Sequence, residues 1–158
     1  MKGDMLVRLW NIPEDTGERA LAAQGISIKR ALSANRDAVV RYVSETFGGG
    51  WGGECSAALS QTPTACYLAV SARKIIGFAC FNATAPDFFG PTGVSPEFRG
   101  KGVGKTLFLK CLHTMREMGY VYAVIGDTDE ASPFYEKTAG AIPIPDSYPG
   151  VYKNLISK

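Results

Sequence analysis

Three basic side chains, Arg99, Lys101 and Lys105, are interleaved with Gly100, Gly102 and Gly104 in the stretch Val94-Ser-Pro-Glu-Phe-Arg-Gly-Lys-Gly-Val-Gly-Lys. Glycines let a ligand approach the backbone closely. Beyond them Val103, Leu107, Cys111, Leu112, Met115 and Met118 recur at helical spacing, which predicts a long amphipathic helix over Gly102–Met118, closed by Gly119. The first turn of such a helix concentrates unpaired N–H donors and positive dipole. Donors, dipole and flanking cations together suit a phosphate-bearing ligand. A plain strand-to-helix turn would use the glycines without needing the three cations.

Spacing narrows the choice of ligand. A nucleotide P-loop built on Gly104-Lys105-Thr106 needs a glycine at position 99, where Arg99 stands, and no carboxylate suited to magnesium ends an earlier apolar strand. Gly100-x-Gly102-x-Gly104 lacks the dinucleotide spacing and falls late in the chain. The pattern that fits is Arg-x-x-Gly-x-Gly, carried by Arg99, Gly102 and Gly104.

Acid–base chemistry has fewer candidates. Asp127 and Asp129 follow the apolar run Val121–Ile125, and Glu54 stands at the start of an expected short helix; each reads equally as a solvated charge. The lone histidine, His113, falls on the side of the long helix opposite Val103 and Leu107, which makes it a surface residue and disfavours a Ser-His-Asp hydrolase. Cys55, Cys66, Cys80 and Cys111 show no close spacing; they read as reduced, mostly buried thiols, and no metal site is expected.

With 158 residues the chain is long enough for one domain with its own core. Its 17 Lys and Arg face 15 Asp and Glu, for a net charge of +2, and neither half is basic enough to argue for nucleic acid. No apolar run approaches the ~20 residues of a membrane span, and the start lacks a signal-peptide core. A cytoplasmic protein, without membrane or nucleic-acid partners, is expected.

The site needs elements to position it. Leu6–Ile12 reads as a short strand ended by Pro13, Glu14–Gln24 as a helix closed by Gly25, and Ile26–Arg30 as a strand. Ser33 or Asn35 caps a helix that carries Val39, Val40 and Val43 on one side. Phe47-Gly-Gly-Gly-Trp-Gly-Gly reads as a flexible break before a short helix, Glu54–Gln61. Cys66–Val70 and Ile75–Asn82 form a hairpin, and Phe88–Val94 is a strand whose Pro91 signals an edge or a bulge. Val121–Ile125 is a strand parallel to it, since a helix links the two. Ser132-Pro133 caps a helix over Phe134–Thr138 ended by Gly140, and Ile142–Ile144 and Val151–Ile156 are final strands around a Tyr-Pro-Gly turn.

On the glycine turn and on the later Phe134-Tyr-Glu-Lys-Thr-Ala-Gly-Ala141, the chain resembles the GNAT superfamily of acyl-CoA-dependent N-acyltransferases over about residues 26–157. The resemblance implies a mixed α/β domain with a mostly antiparallel six- or seven-stranded sheet, a splayed parallel pair and flanking helices. Residues 26–158 would form that domain, with residues 1–25 an extension packed on it. Acetyl-CoA would be the co-substrate: its pyrophosphate wrapped by Arg99, Gly100, Lys101, Gly102, Val103, Gly104 and Lys105, its pantetheine arm in the splay beside Gly93 and Val94. The resemblance gives Tyr135 the task of protonating the departing thiolate. A phenol of pKa ~10 carries that proton at neutral pH. Asp127 is the best-placed base.

A lysine-like amine must lose a proton before it attacks, at a cost of roughly 4–5 kcal/mol at pH 7. Trp51 could stack on a sugar ring, and Glu54 and Asp129 could attract an ammonium. The pattern around Phe88–Val94 and Ser147–Gly150 resembles the glucosamine/glucosaminide N-acetyltransferase branch. Transfer to an amino sugar by direct attack is the expectation, in a monomer or homodimer. A polyamine or peptide acceptor, or an acyl-CoA sensor without turnover, are the alternatives.

Overall fold

In the computed structural model, which describes residues 3–156, the chain opens on β1 (Met5–Arg8), whose side chains alternate buried and half-buried. There follow α1 (Glu18–Ala22), β2 (Ile26–Arg30), α2 (Arg36–Phe47), α3 (Gly49–Leu59), β3 (Cys66–Ser71), β4 (Lys74–Phe81) and β5 (Phe88–Val94). The chain continues through α4 (Val103–Glu117), β6 (Tyr122–Ile125), α5 (Ser132–Ala139) and β7 (Ile142–Pro143). The strands form one seven-stranded sheet in the order β2-β3-β4-β5-β6-β1-β7, antiparallel throughout except for the parallel pair β5–β6. This is the mixed α/β architecture expected from the sequence.

Strand pleating sorts the helices between the two faces. A Cβ on Gly77 would stand 3.2 Å from Leu107 and 3.3 Å from Val103, so α4 covers that face. The ring of the next residue, Phe78, meets Phe47 and Trp51 at 5.5 and 6.2 Å between centroids, so α2 and α3 cover the other. The α4 stripe Val103, Leu107, Cys111, Leu112 and Met115 is buried as its spacing requires, whereas Met118, at the helix end, is exposed.

Several local expectations are corrected. The first strand stops at Arg8, and Leu9–Asn11 form a 3-10 turn; the helix expected over Glu14–Gln24 shortens to Glu18–Ala22. The glycine tract is not a flexible break. Only Gly48 (φ 119°, ψ 161°) interrupts the helices, and α3 begins at Gly49 because α2 supports it: a Cβ on Gly52 would run into the Ser44 side chain. Neither Ser33 nor Asn35 caps α2 through its side chain; the two lie in a 3-10 turn that leads into the helix. Ser132 is the first residue of α5 rather than its cap, and its hydroxyl donates back to the Asp129 carbonyl at 2.9 Å. Pro91 marks a bulge and not a sheet edge: β5 is interior, and its register against β4 shifts between Ala79 and Phe81. Ile142–Ile144 contracts to two strand residues, and the strand expected over Val151–Ile156 is a 3-10 turn, Gly150–Asn154. Pro143 carries no N–H to extend a ladder at that edge.

Candidate active site

β5 and β6 pair only at Phe88–Val124 and Phe89–Ile125. Beyond Phe89, β5 bends at Gly90 (φ +116°) and Pro91 but keeps its pairing with β4 through Thr92, Gly93 and Val94. β6 leaves the other way: Gly126 is wedged between Phe88 and Tyr152, and the Asp127 N–H (φ +50°) donates to Asp4 at 3.1 Å. The sheet therefore opens between two strands that are parallel neighbours at their start. The unpaired edge of β5 offers backbone groups to an extended ligand, in the manner of an added strand.

The glycine turn lies at the end of that opening. Gly102 caps α4 at φ +90°, Gly100 sits at φ +79°, and a side chain at either would meet no neighbour, so their faces are open. No side chain caps α4. The first helical bond is Thr106 N–H to Gly102 O, which leaves the amides of Val103, Gly104 and Lys105 without helical acceptors. Arg99 Nε donates to the Val94 carbonyl at 3.1 Å and bends the turn onto the strand end; Arg99, Lys101 and Lys105 are exposed. Gly93 serves packing as well: a Cβ there would stand 2.6 Å from the Phe47 ring. The open turn, its orphan donors and its cations fit a diphosphate.

A cavity of about 500 Å³ runs from this opening across the sheet. Trp51 and Glu54 of α3 line one end, Phe89–Thr92 and Ile125–Thr128 the middle, and Tyr135 of α5 the face toward α4. Tyr135 is buried among Phe89, Phe108 and Phe134, with ring centroids 5.1–6.2 Å away. Burial pushes its hydroxyl up to about 12, and that hydroxyl makes no hydrogen bond with a described residue. It is a neutral donor on a residue that lines the cavity.

At the other end Thr84 Oγ1 donates to Glu54 Oε1 at 2.7 Å. Tyr152, from the C-terminal 3-10 turn, completes this wall. Burial raises its pKa, a hydrogen bond with Thr84 lowers it, and the charges of Glu54, Asp127 and Asp4 raise it again. Sequence reading missed Tyr152 because it read the Tyr148-Pro149-Gly150 turn but continued from it into a strand, where the chain instead forms a 3-10 turn. Trp51 is anchored on Phe47 and Phe78, is still 40 % exposed, and lines the cavity, so it packs and presents a ring at once. Asp129 lies in the 3-10 turn before α5 and is not part of the lining. His113 is held at the Pro13 carbonyl, 2.8 Å away and outside the cavity.

The model of the acetyltransferase (GNAT) family matches residues 36–141, well over half of the chain. The chain belongs to the GNAT family. Members of this family are transferases that use acetyl-CoA as co-substrate. No curated protein matches the GNAT chain in sequence. Among solved structures it is similar to a GCN5-related glucosamine N-acetyltransferase region of a fungal multi-domain GH3 β-N-acetylglucosaminidase (TM-score 0.72, 12 % identity, 90 % of this chain and 20 % of that one). It is also similar to GCN5-related N-acetyltransferases from Kribbella flavida (0.62, 15 %, 90 % and 54 %) and Sphaerobacter thermophilus (0.59, 18 %, 90 % and 48 %). The chain spans between a fifth and about half of the length of these structures, and at such identities the likeness is one of fold. Among the described residues no helix is long and apolar enough to cross a membrane.

Proposed function

We propose that this GNAT domain transfers an acetyl group from acetyl-CoA to the primary amine of a small acceptor, an amino sugar first among them. The observation that carries the reading is one cavity whose lining brings together the split β5–β6 edge, Tyr135, Glu54, Asp127, Tyr152 and Trp51. When bound, the coenzyme supplies an activated acetyl thioester. The amides of Val103, Gly104 and Lys105, with the Arg99, Lys101 and Lys105 cations, hold its diphosphate. The free edge beside Gly93 and Val94 orients the arm toward Tyr135. Tyr135 Oη keeps its proton at every physiological pH and delivers it to the departing thiolate, a step worth roughly 10²–10⁴ in rate. Asp127 takes the proton of the acceptor ammonium, and Glu54, held by Thr84, attracts that ammonium. An amine flanked by hydroxyl-bearing carbons is less basic than lysine, so an exposed carboxylate suffices as its base. The Trp51 ring gives a sugar face a partner. The acceptor named for the fungal neighbour is glucosamine, which makes it the first compound to test.

The test is release of the coenzyme thiol, followed with a thiol reagent, across glucosamine, chitooligosaccharides, polyamines and peptide N-termini. The four buried cysteines keep the background low. Turnover with the amino sugars is expected, and Tyr135→Phe should lower kcat about 100-fold or more while the KM for acetyl-CoA changes little. Coenzyme binding without turnover on any amine would make the domain a sensor. An unchanged kcat in Tyr135→Phe would remove the acid role.

A further inference from the structure

We propose that Cys55, Cys66 and Cys80 form a three-thiol site that captures one trivalent arsenic, taken up as neutral arsenite. The site lies on the α3 side of the sheet, apart from the cavity. The Phe81 N–H donates to the Ala65 carbonyl at 3.0 Å, while the Cys66 carbonyl accepts from the Ala31 N–H at 2.9 Å, on the side away from β4. The next pair, Cys66 and Cys80, is then of the narrow kind, in which facing side chains come closest. Cys80 is two residues from Phe78 and shares its face, toward α2 and α3. Cys55 descends from α3 onto this pair. The three sulfurs all lie within 4.8 Å of one another, and all three residues are fully buried.

Charge decides which ligand fits. A tetrahedral zinc ion asks for a fourth donor. Cys111 sits under α4, its thiol turned to the Ala79 carbonyl at 3.7 Å, and His113 is held at Pro13. Three thiolates around a monovalent or divalent ion would leave net negative charge in an apolar interior, and such burial is costly. Arg30 does not offset it, because its guanidinium lies over the Tyr67 and Phe81 rings, whose side chains point to the opposite face. Trivalent arsenic leaves no charge. As(OH)₃ and three thiols give As(SR)₃ and three waters: three As–S bonds form, three As–O and three S–H bonds break, and each thiol proton leaves on a hydroxide. Arsenic stays trivalent, so no oxidant is required.

Access comes from α3 itself. Its first five residues include Gly49, Gly50, Gly52 and Gly53, each a poor helix former, so this helix opens more readily than the sheet below it.

The intact chain, incubated with sodium arsenite and no added thiol, is read by native mass spectrometry. One arsenic per chain is expected, with a mass gain of one arsenic less three hydrogens. Cys80→Ala should weaken uptake about 100-fold or more, since the third bond forms intramolecularly, and Cys111→Ala should leave it unchanged. Gly53→Ala keeps all three ligands, and its added methyl group meets no neighbour. It should slow uptake about fivefold by strengthening α3. An adduct that retains a hydroxyl on arsenic, undiminished uptake by Cys80→Ala, equal rates for Gly53→Ala and the parent chain, or no adduct at all would each overturn the proposal.

Discussion

Desolvation disfavours the charged form of any ionisable group, and it acts on Tyr135 and Asp87 with different consequences. For Tyr135 the neutral form is the useful one, and a pKa near 12 keeps the proton in place. For Asp87 the same effect is a cost. Its Oδ1 is buried without a partner among the described residues, and burial raises its pKa from the usual 3.8 to about 6. The folded chain thus holds that proton more tightly than the unfolded chain does. The stability this group contributes is fully present below about pH 4 and is lost as pH rises through about 6. Asp87→Asn should therefore raise the Tm at pH 8 and leave it nearly unchanged at pH 4, as followed by thermal unfolding at the two pH values. Asparagine tolerates the φ of +66° at this position. A Tm gain of equal size at both pH values would assign the effect to something other than the charge. Nothing in the spacing around Asp87 announced any of this, because burial is a property of what packs over a residue.

The glycine turn and the parting of β5 from β6 are the elements that make a site. The turn was legible because its cause lies within contiguous residues; the parting was an implication of the family resemblance, with Pro91 alone announcing an edge or a bulge. Gly100 and Gly102 do take positive φ, and the bend in β5 does fall at Gly90 and Pro91. Gly102→Val would force a β-branched side chain into the left-handed region, at a cost of about 1–2 kcal/mol, and would place its bulk over the amides of the first turn. Calorimetric titration of the folded variant with acetyl-CoA should show at least about tenfold weaker binding, which a stability loss of that size does not produce while the chain stays folded. Binding of parental strength in a folded Gly102→Val chain would show that ligands do not approach this turn. The glycine tract before α3 was misread for an instructive reason. Low intrinsic propensity argued for a break, and the close fit of Gly52 against Ser44 overrode it.

Across the whole molecule, the N-terminal strand is part of the sheet, since β1 lies between β6 and β7; it brings the buried Val7 into the core, and the 3-10 turn after it brings the buried Leu9. Leu9→Ala should cost about 2–5 kcal/mol in urea unfolding, as for other fully buried leucines. A change below about 1 kcal/mol would mean that this segment folds independently of the rest. Residue order by itself determined the helix that follows the glycines, the hairpin β3–β4, the bend at Pro91 and the family, because each is written in neighbouring residues or in a short motif. Only the tertiary structure decided that Tyr152 joins Glu54 on one wall of the cavity, that Asp129 stays out of its lining, and that three scattered cysteines converge behind α3. Those relations join residues far apart in the chain, and they are set by strand order and by which face of the sheet each helix covers.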